Sequence, residues 1–218
     1  MNRYLIFFLS ILFSISLIQP LWTQGDKTTL TIEYSPNFSK VTNASILLNQ
    51  TYKLSHNALL RLEYDSGGKI VPTIGLGFFN TGESNQTKIR GESDLDRVKT
   101  IENHNYLFIP LGAKISFGDF YVLPEIGFGI KISSTIKTIN TFDNGETNVE
   151  SRDNTLFSGE YNQFSIPFSL SVGKEFMVGS LNCSAGVKGY MGINEIVKNV
   201  PRNNHYFGLG ILLGVRLL

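Results

Sequence analysis

The stretch FYVLPEIGFGIKI, residues 120–132, carries the pattern from which the fold of this 218-residue chain is deduced. One set of alternate positions is apolar: Phe120, Val122, Ile126, Phe128, Ile130 and Ile132. The other set is mostly small or charged: Tyr121, Glu125, Gly127, Gly129 and Lys131. Successive side chains of a strand point to opposite faces, so the pattern predicts a strand with one apolar and one polar face. The glycines suit the crowded interior of a narrow barrel.

Residues 164–173 and 207–217 follow the same rule, with large apolar side chains opposite serine and glycine. Period-two alternation recurs in eight stretches, approximately 28–36, 56–65, 69–80, 104–117, 119–134, 161–175, 180–192 and 204–217. Repeated alternation of this kind is typical of transmembrane barrel strands. The sequence therefore predicts an all-β chain that folds as an eight-stranded antiparallel up-and-down transmembrane β-barrel.

The connections between these stretches alternate between short and long. Tight turns are predicted at 65–68, 118–119 and 177–179, and long polar loops at 37–55, 81–103, 135–160 and 193–203. Short turns at one end and long loops at the other are the layout of an outer-membrane barrel, with the turns in the periplasm. Proline cannot donate to a ladder, so Pro72, Pro110, Pro124 and Pro167 predict β-bulges near strand ends.

The first residues resemble a secretory signal peptide. Arg3 precedes an apolar run over residues 5–18 that is too short to span a bilayer. We expect a cleavable signal peptide at 1–23 and a single barrel domain at 24–218, exported to the outer membrane of a Gram-negative cell.

Composition narrows the class of partner. Lys plus Arg (19) nearly equals Asp plus Glu (18), which argues against a nucleic-acid partner. The single cysteine, Cys183, excludes internal disulfides and lies far from any cleavage point that could carry a lipid anchor. Membrane attachment must then come from the fold.

With the strands placed, residues 106–111 and 120–127 resemble the central hairpin of the bacterial outer membrane protein beta-barrel domain family, and residues 34–39 are similar to that family's opening. The resemblance implies an eight-stranded barrel in the outer membrane with no shared catalytic residues. It also implies the barrel assembly machinery as a partner, although the chain ends in Leu218 where such barrels usually end in an aromatic residue. We further expect contact with outer-membrane lipid and lipopolysaccharide, an external ligand at the loops, and a monomer.

Charged residues fall on the predicted inner faces. They are Glu33, Arg61, Glu63, Lys114, Glu125, Lys131, Lys188 and Arg216. Eight strands leave an interior that side chains can fill, so these charges predict an ion-pair network that plugs the lumen. The alternative is a narrow ion path lined by the same residues.

Catalytic and metal motifs are weak in this sequence. His104 or His205 could meet Glu102 or Ser93 in space, as a barrel hydrolase would require, and His56 is the third histidine. No paired spacing indicates a metal, and nothing indicates a cofactor. We therefore expect no catalysis. The leading hypothesis is an integral outer-membrane, porin-like barrel presenting four surface loops; the alternatives are an envelope-lipid-modifying enzyme, a small channel, or a soluble periplasmic lipocalin-like carrier.

Overall fold

The computed structural model describes residues 27–42, 49–65, 67–88, 95–154, 163–194 and 205–217. The predicted signal peptide, residues 1–23, lies outside them. Eleven strands are described: β1 Lys27–Thr42, β2 Asn49–Thr51, β3 Lys53–Asp65, β4 Ile70–Lys88, β5 Leu95–Phe117, β6 Phe120–Phe142, β7 Thr147–Asn154, β8 Phe164–Ser165, β9 Pro167–Val178, β10 Leu181–Gly192 and β11 His205–Arg216. Within these ranges no helix is long and apolar enough to cross a membrane.

Eight of the strands form a closed antiparallel ring. Its members pair in the order β1, β3, β4, β5, β6, β9, β10 and β11, and β11 pairs with β1 to close it. The short strands β2, β7 and β8 pair with β4 or β6 beside this ring. The prediction of an all-β, eight-stranded antiparallel barrel is confirmed.

The registers fix how steeply the strands tilt. A path that steps from partner to partner around the ring leaves β1 at Thr29 and returns to it at Ser39, ten residues further along. A stagger of ten residues over eight strands tilts the strands by about 40° from the barrel axis. Such a barrel has an interior that side chains can fill.

The outside of the ring is apolar and the inside is polar. Exposed side chains include Ile32, Phe38, Leu76, Phe128, Phe168 and Leu209, and they come from every quarter of the ring. Buried side chains include Glu33, Arg61, Lys114, Glu125 and Ser171. On β6 the outward apolar series runs from Phe120 to Ile132, about 30 Å along the axis, which matches the hydrocarbon core of a bilayer. We call the whole outward apolar surface the apolar belt.

The predicted tight turns are confirmed. Gly67, Gly118 and Gly179 each have positive φ, of 80°, 65° and 61°, at the turns that join β3 to β4, β5 to β6 and β9 to β10. Glycine adopts this conformation without the clash that a Cβ would bring. Asp65 supports the first turn by accepting a 2.8 Å hydrogen bond from the amide of Gly67.

The prediction of bulges at the four prolines is wrong. The registers are the same on both sides of Pro110, Pro124 and Pro167. The β3–β4 ladder ends at Thr73 and so does not reach Pro72. Each of the first three interrupts one ladder locally because proline has no N–H to donate, and pairing then resumes unshifted. The bulges lie instead on the β5–β6 ladder, where Ile132 and Asp96 are extra residues.

Much of what the sequence predicted as loop is strand. β4 continues to Lys88 and pairs along its length with β5 from Arg97, and β6 continues to Phe142 and folds back on β7. These segments, together with β2, form an open sheet beyond the apolar belt, which we call the extracellular sheet after the orientation predicted from the short turns and long loops. The polar loop composition misled the prediction because polar side chains stand on both faces of this sheet, so no apolar alternation marks it.

Candidate functional site

The candidate site is the barrel interior, where charged side chains from separate strands converge. Nearest the tight turns lies a lower charge cluster of Glu63, Lys114, Glu175 and Arg216. The Lys114 ammonium group donates to Glu63 at 2.8 Å and also contacts Glu175. Arg216 donates to Glu175 at 3.0 Å and to Glu63 at 3.3 Å. Two cations and two carboxylates make this cluster neutral.

A central charge cluster lies above it and contains Glu33, Arg61, Glu125 and Lys188. The Arg61 guanidinium binds both oxygens of Glu33, each at 2.7 Å, and donates to Glu125 at 2.6 Å. The second oxygen of Glu125 accepts from Lys188 at 2.8 Å and from Ser169 at 3.1 Å. The Arg61 side chain is fully buried, and the cluster is again neutral.

The central charge cluster ties together strands that are not neighbours. Glu33 and Arg61 come from the adjacent strands β1 and β3, whereas Glu125 and Lys188 come from β6 and β10. Buried charges are tolerated only when they are paired and hydrogen-bonded, and removing one partner leaves another charge uncompensated. The interior therefore fixes the cross-section of the barrel through ion pairs.

Seven of the eight charges singled out from the sequence lie in these two clusters. Lys131 lies apart, with its ammonium group 5.9 Å from the ring centroid of Tyr106. Sequence reasoning missed Glu175, although it stands on the same alternation as Ser169 and Ser171 in a predicted strand. Extending that alternation by two positions would have found it.

An aromatic layer fills the lumen above the central charge cluster. Its members are Phe79, Tyr106, Phe108, Tyr190 and Tyr206. The Phe79 ring centroid lies 4.9 Å from that of Tyr190, 5.3 Å from that of Tyr206 and 5.7 Å from that of Phe108. The hydroxyl groups of Tyr190 and Tyr206 hydrogen-bond to Asn37 and Ser165, so their polar ends are satisfied.

The space left between these layers is small. One cavity beside the lower charge cluster has a volume of about 10 Å³, and one beside Phe79 and Lys188 has about 20 Å³. A volume of that size holds about one water molecule. Tyr121, Leu123 and Leu212 pack together in the interior as well, and each is at most 3% exposed.

At the loop end, His104 contacts both an acid and a serine. Its Nδ1 lies 2.9 Å from Ser134 Oγ, and its Nε2 lies 3.6 Å from a carboxylate oxygen of Glu102. The sequence analysis predicted Glu102 as a possible partner of this histidine. It predicted Ser93 as the serine, and Ser93 lies outside the described residues. Ser134 reaches His104 because the bulge at Ile132 turns it inward. Burial lowers the pKa of His104, so its ring is neutral at pH 7.

The other histidines lie away from this contact. His56 is exposed and stacks on Tyr34, whose hydroxyl group is 2.6 Å from the His56 Nδ1. His205 begins β11 opposite Thr42 of β1. In the described part of the chain, no three His, Cys, Asp or Glu side chains are grouped to hold a metal ion.

Glu83 is a second unusual group at the loop end. It is 6% exposed and lies directly opposite Glu102 in the β4–β5 ladder. One of its oxygens accepts a hydrogen bond from Asn85 at 2.7 Å. Burial raises the pKa of the Glu83 carboxyl to about 7, and the charge of Glu102 acts in the same direction. This carboxyl is therefore about half protonated at neutral pH.

No protein-family model and no curated protein matches the chain. Several solved structures are similar to it. Neisserial surface protein A has 11% identity and a TM-score of 0.39, covering 88% of this chain and 99% of that one. Ail of Yersinia pestis, in complex with the heparin analogue sucrose octasulfate, has 10% identity and a TM-score of 0.36 over 88% and 99%. A major outer membrane protein from Thermus thermophilus has 9% identity and a TM-score of 0.42 over 88% and 100%.

The chain's own surfaces define its class. An apolar belt of about 30 Å surrounds a polar, ion-paired interior, and tight turns close one end of the ring. This combination is the signature of transmembrane barrels of the outer-membrane type. The chain is an eight-stranded transmembrane β-barrel of the outer-membrane type.

Proposed function

We propose that the protein is a non-catalytic, non-conducting barrel that anchors a surface for interaction outside the cell. The filled lumen carries this proposal. Two neutral ion-pair clusters and the aromatic layer follow one another along the axis, so an ion would have to break several buried contacts to pass. The functional surface then lies on the four predicted surface loops. The extracellular sheet is built from parts of these loops.

Planar-bilayer recording tests the closed lumen. The purified barrel should give no discrete conductance steps in concentrated potassium chloride, while a porin added to the same membrane shows that insertion and recording work. Steps from the barrel alone would contradict the proposal and support the small channel.

One observation favours an enzyme as the second candidate. Glu102, His104 and Ser134 make the acid, base and nucleophile contacts that a hydrolase uses. However, His104 is fully buried and Ser134 is 3% exposed, so an acyl chain has no route to the hydroxyl group. We expect the protein to release no fatty acid from phospholipid or lipopolysaccharide. Release that is lost in both His104→Ala and Ser134→Ala would establish catalysis instead.

The soluble carrier alternative required the apolar face to point inward. The structure has the opposite arrangement, since Arg61 and Glu125 are buried and Phe128 and Leu209 are exposed. A lipocalin-like role is therefore excluded by the direction of the strands' faces.

A further inference from the structure

Four basic residues lie together on one face of the extracellular sheet. Lys88 of β4 lies directly opposite Arg97 of β5, and Lys99 lies two residues beyond Arg97. Lys137 of β6 pairs with Ile101, one diagonal step from Lys99. We call Lys88, Arg97, Lys99 and Lys137 the basic patch. Residues that pair directly across an antiparallel ladder lie on the same face, so the four side chains share one face, with Arg97 next to Lys88 and Lys99, and Lys137 next to Lys99.

The registers show that this face points away from the barrel axis. β4 keeps one register with β5 from Ile70 to Lys88, so Lys88 shares its face with Phe78, ten residues earlier in the apolar belt. Because paired residues lie on the same face, Arg97 on β5 also faces outward, and so does Lys137 on β6. The basic patch therefore continues the lipid-facing side of the wall above the membrane.

The charge on this face is unbalanced. Among its described positions on β4, β5 and β6, the remaining residues are uncharged: Ser84, Gln86, Ile101, Asn103, Thr135, Ile139 and Thr141. Two acidic residues adjoin the patch: Asp96, the extra residue of a bulge, at 4.0 Å from Arg97, and Asp153 of β7, which pairs with Thr135 one diagonal step from Lys137. Like charges directly opposite each other, as in Lys88 and Arg97, destabilise a ladder. A bound anion would relieve that repulsion.

The opposite face of the same sheet has the reverse character. Glu83 and Glu102 lie on it, above the barrel mouth. An anion is thus favoured only on the outward side. Lys137 lies five residues beyond Ile132, and Thr141, the partner of Arg97, lies nine residues beyond it, so the patch extends from about 12 Å to about 23 Å above the apolar belt along the axis. An anion held at this height and facing this way lies over the surrounding lipid, and not over the mouth.

We propose that the basic patch binds phosphate groups on the head region of the lipopolysaccharide molecules that surround the barrel. The proposal rests on the location and orientation given under the proposed function. Multivalent anions anchored in the same leaflet meet the patch at high local concentration, and several cations can share one phosphorylated sugar. Binding would hold the extracellular sheet upright against its lipid neighbours.

Two matched double variants test this binding. Lys88→Gln with Lys137→Gln removes half of the patch, whereas Lys69→Gln with Lys174→Gln removes two exposed cations at the turn end. The titration uses the folded barrel in mixed micelles with lipopolysaccharide whose head region is phosphorylated. Each cation near an anionic lipid surface contributes about fivefold, so the patch variant should bind about 30-fold more weakly. The control should remain within about twofold of the wild type.

Two results would overturn the proposal. One is equal affinity of the two double variants for the phosphorylated glycolipid, or of the wild type for the phosphorylated and dephosphorylated forms. The other is binding of free inositol hexakisphosphate as tight as that of the glycolipid, which would assign the patch to a soluble anion. High salt should weaken the binding of the wild type, because salt screens the attraction between exposed lysine side chains and phosphate groups.

A labelling experiment separates failure of the patch from failure of the orientation. In a Cys183→Ser background, intact cells carrying Thr147→Cys are treated with a maleimide too large to enter the periplasm, and Lys69→Cys serves as the comparison. Labelling at residue 147 alone upholds the orientation, so that a negative titration then rejects only the patch. Labelling at residue 69 alone rejects the orientation and the patch with it.

Discussion

Single residues in the interior carry an unusually large share of the fold. Arg61 is fully buried and donates to two carboxylates from different sides of the lumen. The alternation of β3 was enough to predict that Arg61 lies on the polar face. It was not enough to predict the partners of Arg61, because Glu125 is 64 residues away in sequence and only closure of the ring brings the two side chains together.

Replacing Arg61 should therefore be costly. Arg61→Met keeps most of the volume but leaves Glu33 and Glu125 buried without their shared cation, and we expect a loss of about 3–5 kcal/mol in the free energy of unfolding. Urea unfolding of the barrel in micelles measures it, with the exposed Arg152→Met as the control. Equal midpoints for the two variants would show that the guanidinium is not needed to hold the cluster.

Glu83 should make stability depend on pH. Its pKa is about 7 in the folded barrel against 4.5 for an ordinary glutamate, so the folded state holds the proton more tightly than the unfolded state. Stability must then fall as the pH rises from about 4.5 to about 7, and level off above. The charged groups that act on it are Glu102 from β5, which raises its pKa, and Lys40 from β1, which lowers it.

Glu83→Gln isolates this contribution from the other titrating groups. The urea midpoint of the wild type should drop relative to that of Glu83→Gln between pH 5 and pH 8. Parallel pH curves for the two proteins would mean that Glu83 keeps an ordinary pKa in the folded barrel.

At the scale of elements, the sequence predicted strands where one face is apolar and meets lipid, and it failed where both faces carry polar side chains. Residues 120–132 alternate because Phe128 must face lipid while Glu125 faces the lumen. Residues 81–88 and 95–103 show no such contrast, and their pairing was invisible in the pattern. The contact of Ser134 with His104 was hidden for a different reason: the bulge at Ile132 reverses the alternation just before it.

Gly82 should be essential to the β4–β5 hairpin. It has a φ of 154°, and a Cβ at this position would collide with the carbonyl oxygen of Glu102 on the paired strand. Its own carbonyl accepts a hydrogen bond from Ser39 at 3.1 Å. We expect Gly82→Ala to cost about 1–3 kcal/mol locally, seen as faster amide hydrogen exchange in residues 80–88 and 95–105.

Gly189→Ala provides the matched control for that substitution. A Cβ there would meet only the Leu209 side chain, at an ordinary 3.8 Å. Exchange in the hairpin should be unchanged in this variant. Equal protection in both alanine variants would show that the hairpin accommodates a side chain at residue 82.

At the scale of the whole molecule, the closed ring makes unfolding a single event. Every strand of the ring has two partners, and the two charge clusters cross the lumen, so no strand can leave alone. The number of strands, the end of the ring that carries the tight turns and the face that points outward could be predicted from the alternation and the turn residues. The stagger of ten residues could not be predicted, because it depends on which residues pair across each ladder.

Heat-dependent gel mobility tests this closure directly. An outer-membrane fraction run in detergent without heating should give a band that shifts after boiling, since the intact ring resists detergent until it is heated. Arg61→Met should shift at a lower temperature than Arg152→Met. A protein that migrates identically before and after boiling would contradict a closed ring.

The extracellular sheet rises from only one side of the ring. Within the described residues, β1, β9, β10 and β11 end at Thr42, Pro167, Gly192 and His205, while β4, β5 and β6 continue well beyond the apolar belt. Among the described residues, the wall is therefore higher above the membrane at β4, β5 and β6 than at the other strands of the ring. A molecule that approaches the described part of the chain along the cell surface from that side contacts pleated sheet before it reaches the barrel mouth.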